Sequence, residues 1–244
     1  MASAPPVWFV GGDKGGVGKS LVALSLLHHL QQRDQPVLLI ETDTSNPDVW
    51  RCFRNESEIP SELVLLDRAD GWISLVNHCA EYPDRAVVIN TAARNSPGVT
   101  AYGGALNAAL PNLERPLIAL WVINRQRDCL ELFQKFFAAL PEARAHVLRN
   151  LYWGTEDKFE LYNRSTLRKT IEGRGGLSLN FPELADRVAD DLFTGRLNVA
   201  RALQDLPLGN RAELRRWERE CARLWQDLES HEALAAHREP VAAA

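Results

Sequence analysis

The chain has 244 residues, 45% hydrophobic and 25% charged, with 28 Lys and Arg against 32 Asp and Glu for a formal charge of −4 at pH 7. That composition excludes a disordered or fibrous chain, and the charge argues against a uniformly basic nucleic-acid binder while leaving local patches open. No apolar run approaches the roughly 18 residues of a membrane span, and Met1 to Pro6 has neither a basic start nor a long apolar core, so no signal peptide is expected. The expectation is a cytoplasmic globule, one domain over residues 1–244. Cys52, Cys79, Cys129 and Cys221 stand far apart with no Cys-x-x-Cys, which predicts four reduced structural thiols and no disulfide framework or zinc site.

Short apolar runs alternate with helical spacing along the first 150 residues. Val7–Val10, Val37–Ile40, Leu63–Leu66, Ala86–Ile89, Leu117–Ile123 and His146–Leu148 read as strands. Most are too continuously apolar for a half-solvated sheet and predict strands buried on both faces. Between them Ser20–Gln32, Gly71–Glu81, Val99–Leu110 and Arg127–Leu140 read as helices, the first with Leu24, Leu27 and Leu30 marking one face. Alternating strand and helix predicts an α/β fold, a mainly parallel sheet with helices on both faces. From about Asn163 the reading is helical: Leu184–Phe193, Val199–Leu206 and Arg211–Glu229. In the last, Leu214, Trp217, Cys221, Leu224 and Leu228 recur at spacings of three and four. Residues 163–232 are thus expected to form a helical C-terminal part, and 233–244 a frayed tail.

The strongest functional signal follows the first strand. Gly11-Gly12-Asp13-Lys14-Gly15-Gly16-Val17-Gly18-Lys19-Ser20 leads from a buried strand into an amphipathic helix, the setting a phosphate loop requires. Glycines let backbone N–H groups converge on phosphate oxygens. The strict pattern wants Gly where Asp13 stands. The two-lysine run Lys14 to Ser20 instead resembles the deviant Walker A loop of the ParA/MinD family of P-loop ATPases. The resemblance implies ATP/ADP and Mg²⁺ as cofactors. Phosphate contacts fall to Gly15, Gly16, Val17, Gly18, Lys19, Ser20 and Leu21, and a Mg²⁺ contact to Ser20. It further implies a homodimer in which Lys14 reaches the partner's nucleotide.

Leu39-Ile40-Glu41-Thr42-Asp43 resembles that family's Asp-x-Asp switch I, with Glu41 in place of the first Asp. By position Asp43 orients the attacking water or serves the metal; as an isolated feature, Asp43 and Asp48 also read as turn and cap residues. Ala86 to Ala93 resembles the Walker B strand and switch II, where the family usually has Asp and this chain has Asn90. An amide oxygen can accept from a metal-bound water but brings no charge, so weak hydrolysis is implied, and Asn90→Asp is expected to raise turnover if the missing charge limits it. Asn150, after the sixth strand, falls where the family places an adenine contact, although an Asn there is also an ordinary turn residue.

Three cargoes follow from the resemblance. A metal-cluster carrier would show Cys-x-x-Cys, which is absent from the sequence. A membrane carrier would show a basic amphipathic terminal helix, whereas Arg211–Glu229 mixes both signs. DNA or a DNA-bound adaptor or relaxase has support from residues 144–174. Seven basic residues against four acidic ones there give +3, with Tyr152, Trp153, Phe159 and Tyr162 interleaved. The segment Arg149 to Gly154, with Asn90, resembles the plasmid branch tied to stability and conjugative mobilisation (StbB- or MobD-like). The expected function is an ATP-hydrolysing switch in plasmid or DNA partition or mobilisation. The alternatives are a MinD-like positioning ATPase and a nucleotide-bound adaptor with little hydrolysis.

Overall fold

The computed structural model describes residues 4–12, 14–93 and 95–238. The elements in chain order are β1 (Val7–Gly11), α1 (Lys19–Gln32), β2 (Val37–Glu41), α2 (Asp48–Phe53), β3 (Ser61–Leu63), α3 (Ala69–Glu81), β4 (Ala86–Asn90), α4 (Ser96–Tyr102), α5 (Gly104–Leu113), β5 (Leu117–Ile123) and α6 (Asp128–Ala139). They continue with β6 (Arg144–Asn150), two 3₁₀ turns, α7 (Glu160–Asn163), α8 (Thr166–Gly173), β7 (Ser178–Phe181), α9 (Asp186–Gly195), α10 (Val199–Asp205) and α11 (Leu208–Arg238). The seven strands form one sheet in the order β3-β2-β4-β1-β5-β6-β7, and every pairing is parallel.

The continuous apolar runs do what their pattern dictates. All residues of β1, β2, β4 and β5 are buried, because helices cover both sheet faces. Connections that leave β1 toward β2 and β3 run one way across the sheet, and those from β4 through β5 and β6 run the other. Right-handed crossovers therefore put α1 and α2 on one face and α3–α6 on the opposite one. The reversal at β1 opens a crevice at the carboxyl ends of β1 and β4. On the α6 face Phe9, Trp121, Phe133 and Phe136 form an aromatic cluster with ring centroids 5.0–5.1 Å apart for the three closest pairs.

On the other face α11 lies over α1 and inserts Leu214, Trp217, Cys221, Leu224, Trp225 and Leu228. The stripe expected from spacing is the one that packs. With α11 above and the sheet below, α1 is buried from Val22 to Leu30 on nearly every side, which its single leucine face did not foretell. Trp217 also donates its indole N–H to the Pro182 carbonyl at 3.1 Å. All four cysteines are free and buried.

Several boundaries differ from expectation. The third strand is Ser61–Leu63, with Val64 and Leu66 buried after it in the following loop. The expected helix Val99–Leu110 is two, α4 and α5, broken at Gly103, where an added Cβ would stand 2.5 Å from the Val99 carbonyl. The C-terminal part is not purely helical, since β7 extends the sheet. Residues 233–238, expected to fray, continue α11, while 239–244 lie outside the described residues. No helix among the described residues is long and apolar enough to cross a membrane.

Candidate phosphate-binding site

The loop from β1 to α1 sits at the sheet's crevice. Gly12, Gly16 and Gly18 take positive φ of 148°, 73° and 105°, conformations that side chains oppose. At Gly12 an added Cβ would lie 2.8 Å from the Val122 carbonyl. Gly18 faces the Asn150 amide with no room for one. Gly15 and Gly16, by contrast, look into open space, with nothing within 4 Å of an added Cβ. The loop therefore needs glycine below to pack and leaves a cradle above. Asp13, the departure from the strict pattern, lies outside the described residues.

Gly18 begins α1 with no side-chain cap. The N–H groups of the first turn, at Lys19, Ser20 and Leu21, thus face the cradle at the positive end of the helix dipole, a ready anion site. Lys19 is buried and curls back to give its ammonium to the Lys14 carbonyl at 3.1 Å. Lys14 points elsewhere: its Nζ meets Asp128 Oδ2, on the first residue of α6, at 2.5 Å. The hydrogen bond and charge of Lys14 hold the Asp128 carboxyl below the usual carboxylate range. Asp128 was not legible as a partner, because the pair joins segments far apart in sequence.

Three contacts tie the strand ends beside this loop together. The Thr91 hydroxyl donates to the Val10 carbonyl at 2.7 Å, and Thr42 Oγ1 accepts from the Ala92 N–H at 2.9 Å. Glu41, fully buried, receives Asn90 Nδ2 at 3.1 Å on Oε1 and 3.0 Å on Oε2, and the Asp43 N–H on Oε1 at 3.0 Å. Burial pushes the Glu41 carboxyl up to about 7 against these hydrogen bonds, which favour the charged form. Asn90 Oδ1 is buried with no partner among the described residues. Leaving such an acceptor unmet costs about 1–3 kcal/mol, so it fits an incoming donor. Asp43 is half-buried, and its Oδ1 accepts from the Asn46 N–H at 2.9 Å, shaping the turn.

Asn150, at the end of β6, donates to the Val17 carbonyl at 2.8 Å and accepts from the Tyr152 N–H at 3.1 Å. It braces the phosphate loop from behind, with one donor and one lone pair of its amide left over. The structure thus gathers Lys14, Gly15, Gly16, Val17, Gly18, Lys19, Ser20, Leu21 and Asn150 around one loop, and brings Asn90 and Asp43 together around Glu41. A cavity of 900 Å³ lined by Trp8, Ile118 and Arg144 belongs to the opposite ends of the strands.

Comparison with known proteins agrees with this geometry. Residues 8–165 match the model described as CobQ/CobB/MinD/ParA nucleotide binding domain. The chain belongs to the MinD/ParA nucleotide-binding family. Within it, a protein named MobD from Acidithiobacillus ferrooxidans is 54% identical over 221 residues, covering 91% of this chain and 96% of that protein. The C-terminal third is therefore shared with that relative, not only the motif-bearing part. In fold, the chain resembles the cell division ATPase MinD of Pyrococcus furiosus, with a TM-score of 0.54 at 15% identity over 92% of this chain and 99% of the other. The Aquifex aeolicus MinD cell division protein gives 0.51 at 13% identity, over 86% and 95%. The family is nucleotide-binding, and the chain carries the loop that binding needs.

Proposed function

We propose that the chain is an ATP-dependent switch that dimerises around nucleotide and Mg²⁺ and serves plasmid partition or conjugative mobilisation. The observation that carries this reading is the loop itself: an open cradle at Gly15 and Gly16, an uncapped helix start, a buried Lys19 and a second lysine, Lys14, held outside the cradle. The 54% identity to MobD supports the mobilisation side of it.

Each residue then has a role this chain can perform. The N–H groups of Gly15 to Leu21 bind phosphate oxygens, and Lys19 swings from the Lys14 carbonyl onto the β and γ phosphates. The Ser20 hydroxyl and, through water, Asn90 would hold Mg²⁺, an ion that takes few protein oxygens and would supply charge neutralisation at the phosphates. Asp43 orients the attacking water, and the spare donor and lone pair of Asn150 meet the adenine edge. Lys14 leaves Asp128 for the partner's phosphates. A nucleotide-bound adaptor with little hydrolysis is the second reading, favoured by the uncharged Asn90.

The partner is DNA or a DNA-bound adaptor. The basic excess of residues 144–174 is largely engaged within the chain: Arg149 with Glu156 at 2.8 Å, Arg168 with Glu172 at 2.7 Å, Arg144 with Glu232 at 2.7 Å and Lys158 with Asp157 at 3.3 Å. Arg215, Arg219 and Arg223 instead line the exposed face of α11 at four-residue spacing. Their neighbour Arg216, not they, takes Glu213 and Glu220.

ATP titration of Lys19→Ala and light scattering of Lys14→Ala test the switch. Lys19→Ala should lose nucleotide affinity by about a hundredfold or more. Lys14→Ala should keep monomer affinity and lose the ATP-dependent dimer. Unchanged affinity in the first removes the phosphate-loop reading, and an undisturbed dimer in the second removes the trans role.

A further inference from the structure

Asn90 departs from the acidic residue expected at its position, and its surroundings show what the amide does that an acid could not. Both oxygens of Glu41 lie within 3.1 Å of Asn90 Nδ2. The two residues sit in register on adjacent strands, Glu41 beside Asn90, and Asn90 beside Val10 of β1. Asn90 is 3% exposed and Glu41 fully buried. With its nitrogen fixed on Glu41, the same amide turns Oδ1 away from that carboxylate, and Oδ1 has no partner among the described residues. An aspartate at 90 would have no N–H to give and would set a second buried carboxylate against the first, a like-charge pair that cannot readily ionise together.

Resting on the nucleotide-switch reading above, we propose that Asn90 is a positioning residue with two faces. Its N–H groups clamp Glu41 and favour the charged form of that carboxyl, on β2, in place of an acid on β4, and its Oδ1 accepts from a water of the nucleotide's metal ion. Of the two acids that the family pattern sets at these positions, this chain keeps the one on β2 and replaces the one on β4 by an amide, so the site keeps one charge. Asn90 is then a fitted part of this pair, and putting Asp there alone breaks the clamp.

The test uses the full chain with Asn90→Asp, Glu41→Gln and the double variant that carries both. Thermal unfolding is read without nucleotide or metal, and Mn²⁺ affinity of the ADP complex by EPR titration. Asn90→Asp should unfold about 3–8 °C lower, and the double variant should recover most of that drop. Glu41→Gln should bind Mn²⁺ roughly tenfold more weakly, with recovery in the double variant, which returns one acid to the pair. An Asn90→Asp protein as stable as the parent, or a Glu41→Gln protein with undiminished Mn²⁺ affinity, overturns the proposal. If the parent binds no ADP, the nucleotide reading and the metal role fall together, while the unfolding series still reports on the clamp.

Discussion

At its first turn α1 starts on Gly18 without a side-chain cap, whereas near its other end His28 and His29 meet Glu218 and Glu229 of α11 at 2.8 and 3.1 Å. One helix therefore joins two differently finished regions. The loop end leaves first-turn donors uncapped beside an open cradle, with the buried, unmet Asn90 Oδ1 on a neighbouring strand end. The far end is covered by α11, which adds Trp217, Trp225 and Leu228 to the core, and the atoms unmet there among the described residues, His28 Nδ1, Gln31 Oε1 and Trp225 Nε1, are buried without an open cradle beside them. Buried polar groups in proteins are nearly always paired, so unmet groups beside open space mark where a ligand belongs, and a covered end marks where stability resides. Damage to the two ends should therefore separate into binding defects and folding defects.

The largest effect should come from Trp217→Ala. The ring is 1% exposed, stacks edge-on against Phe181 at 5.9 Å and donates to Pro182. Removing it should cost about 3–5 kcal/mol of stability, measured by denaturant unfolding, while the folded fraction keeps its nucleotide affinity. If affinity falls and stability holds, the two ends are coupled and do not divide binding from folding.

An intermediate effect is expected with pH, through α11 near residue 232. His146 is buried, accepts the Leu177 N–H on Nδ1 at 3.1 Å, and has Nε2 2.9 Å from Glu232 Oε1 in a poorly aligned contact. Arg144 binds the same carboxylate, and the His231 ring stands edge-on 6.0 Å away. Burial, the largest cause, lowers the proton affinity of His146 despite Glu232. Hydrogen bonding and charge from His146 and Arg144 lower that of Glu232 against the opposing effect of burial. Both signs agree. An unfolded chain takes up protons at histidine near pH 6.5 and at glutamate near pH 4.3 before the folded chain does. The stability that this pair contributes should therefore decline as pH falls through about 6.5 and again through the carboxylate range, while Glu41, raised to about 7, contributes in the opposite sense over the same interval, so the pair is read from the difference between parent and variant. His146→Gln should flatten the first step in unfolding curves between pH 7.5 and 5.5; an unchanged slope would assign it to another group.

How much of this was readable follows the same division. The loop, its glycines and its two lysines are contiguous, so their chemistry is written locally, and four of the seven strands follow from uninterrupted apolar runs, with β6 marked only by the short His146–Leu148 segment. Strand β7, Ser-Leu-Asn-Phe, is half-buried at the sheet edge and has no such run. Glu41 and Asn90 were each recognisable as substitutions in a pattern, but their mutual hydrogen bonds span 49 residues. Lys14 and Asp128 lie still further apart in sequence. Pairings of that kind are set by strand order and crossover, which periodicity does not encode. Net charge misleads in the same way at residues 144–174, where the arginines meet acids brought from within the segment and from α11.

The smallest effect is expected from that segment. Arg164 is 82% exposed with Glu160 only 3.7 Å off, and Arg168 is held by Glu172. Exposed pairs of this kind contribute about 0–1 kcal/mol, so replacing Arg164, Arg168 and Lys169 by Gln should leave the unfolding midpoint nearly unchanged. If the chain binds duplex DNA with ATP, the same triple change should also leave the salt slope of binding nearly as it was. The corresponding change at Arg215, Arg219 and Arg223 should lower the slope by about 0.9 for each phosphate no longer neutralised. A large loss from the first set and none from the second would place the DNA-binding face back on residues 144–174, with their ion pairs opening to make it. That outcome would also mean that exposed charges already paired within the chain are recruited in preference to unpaired ones.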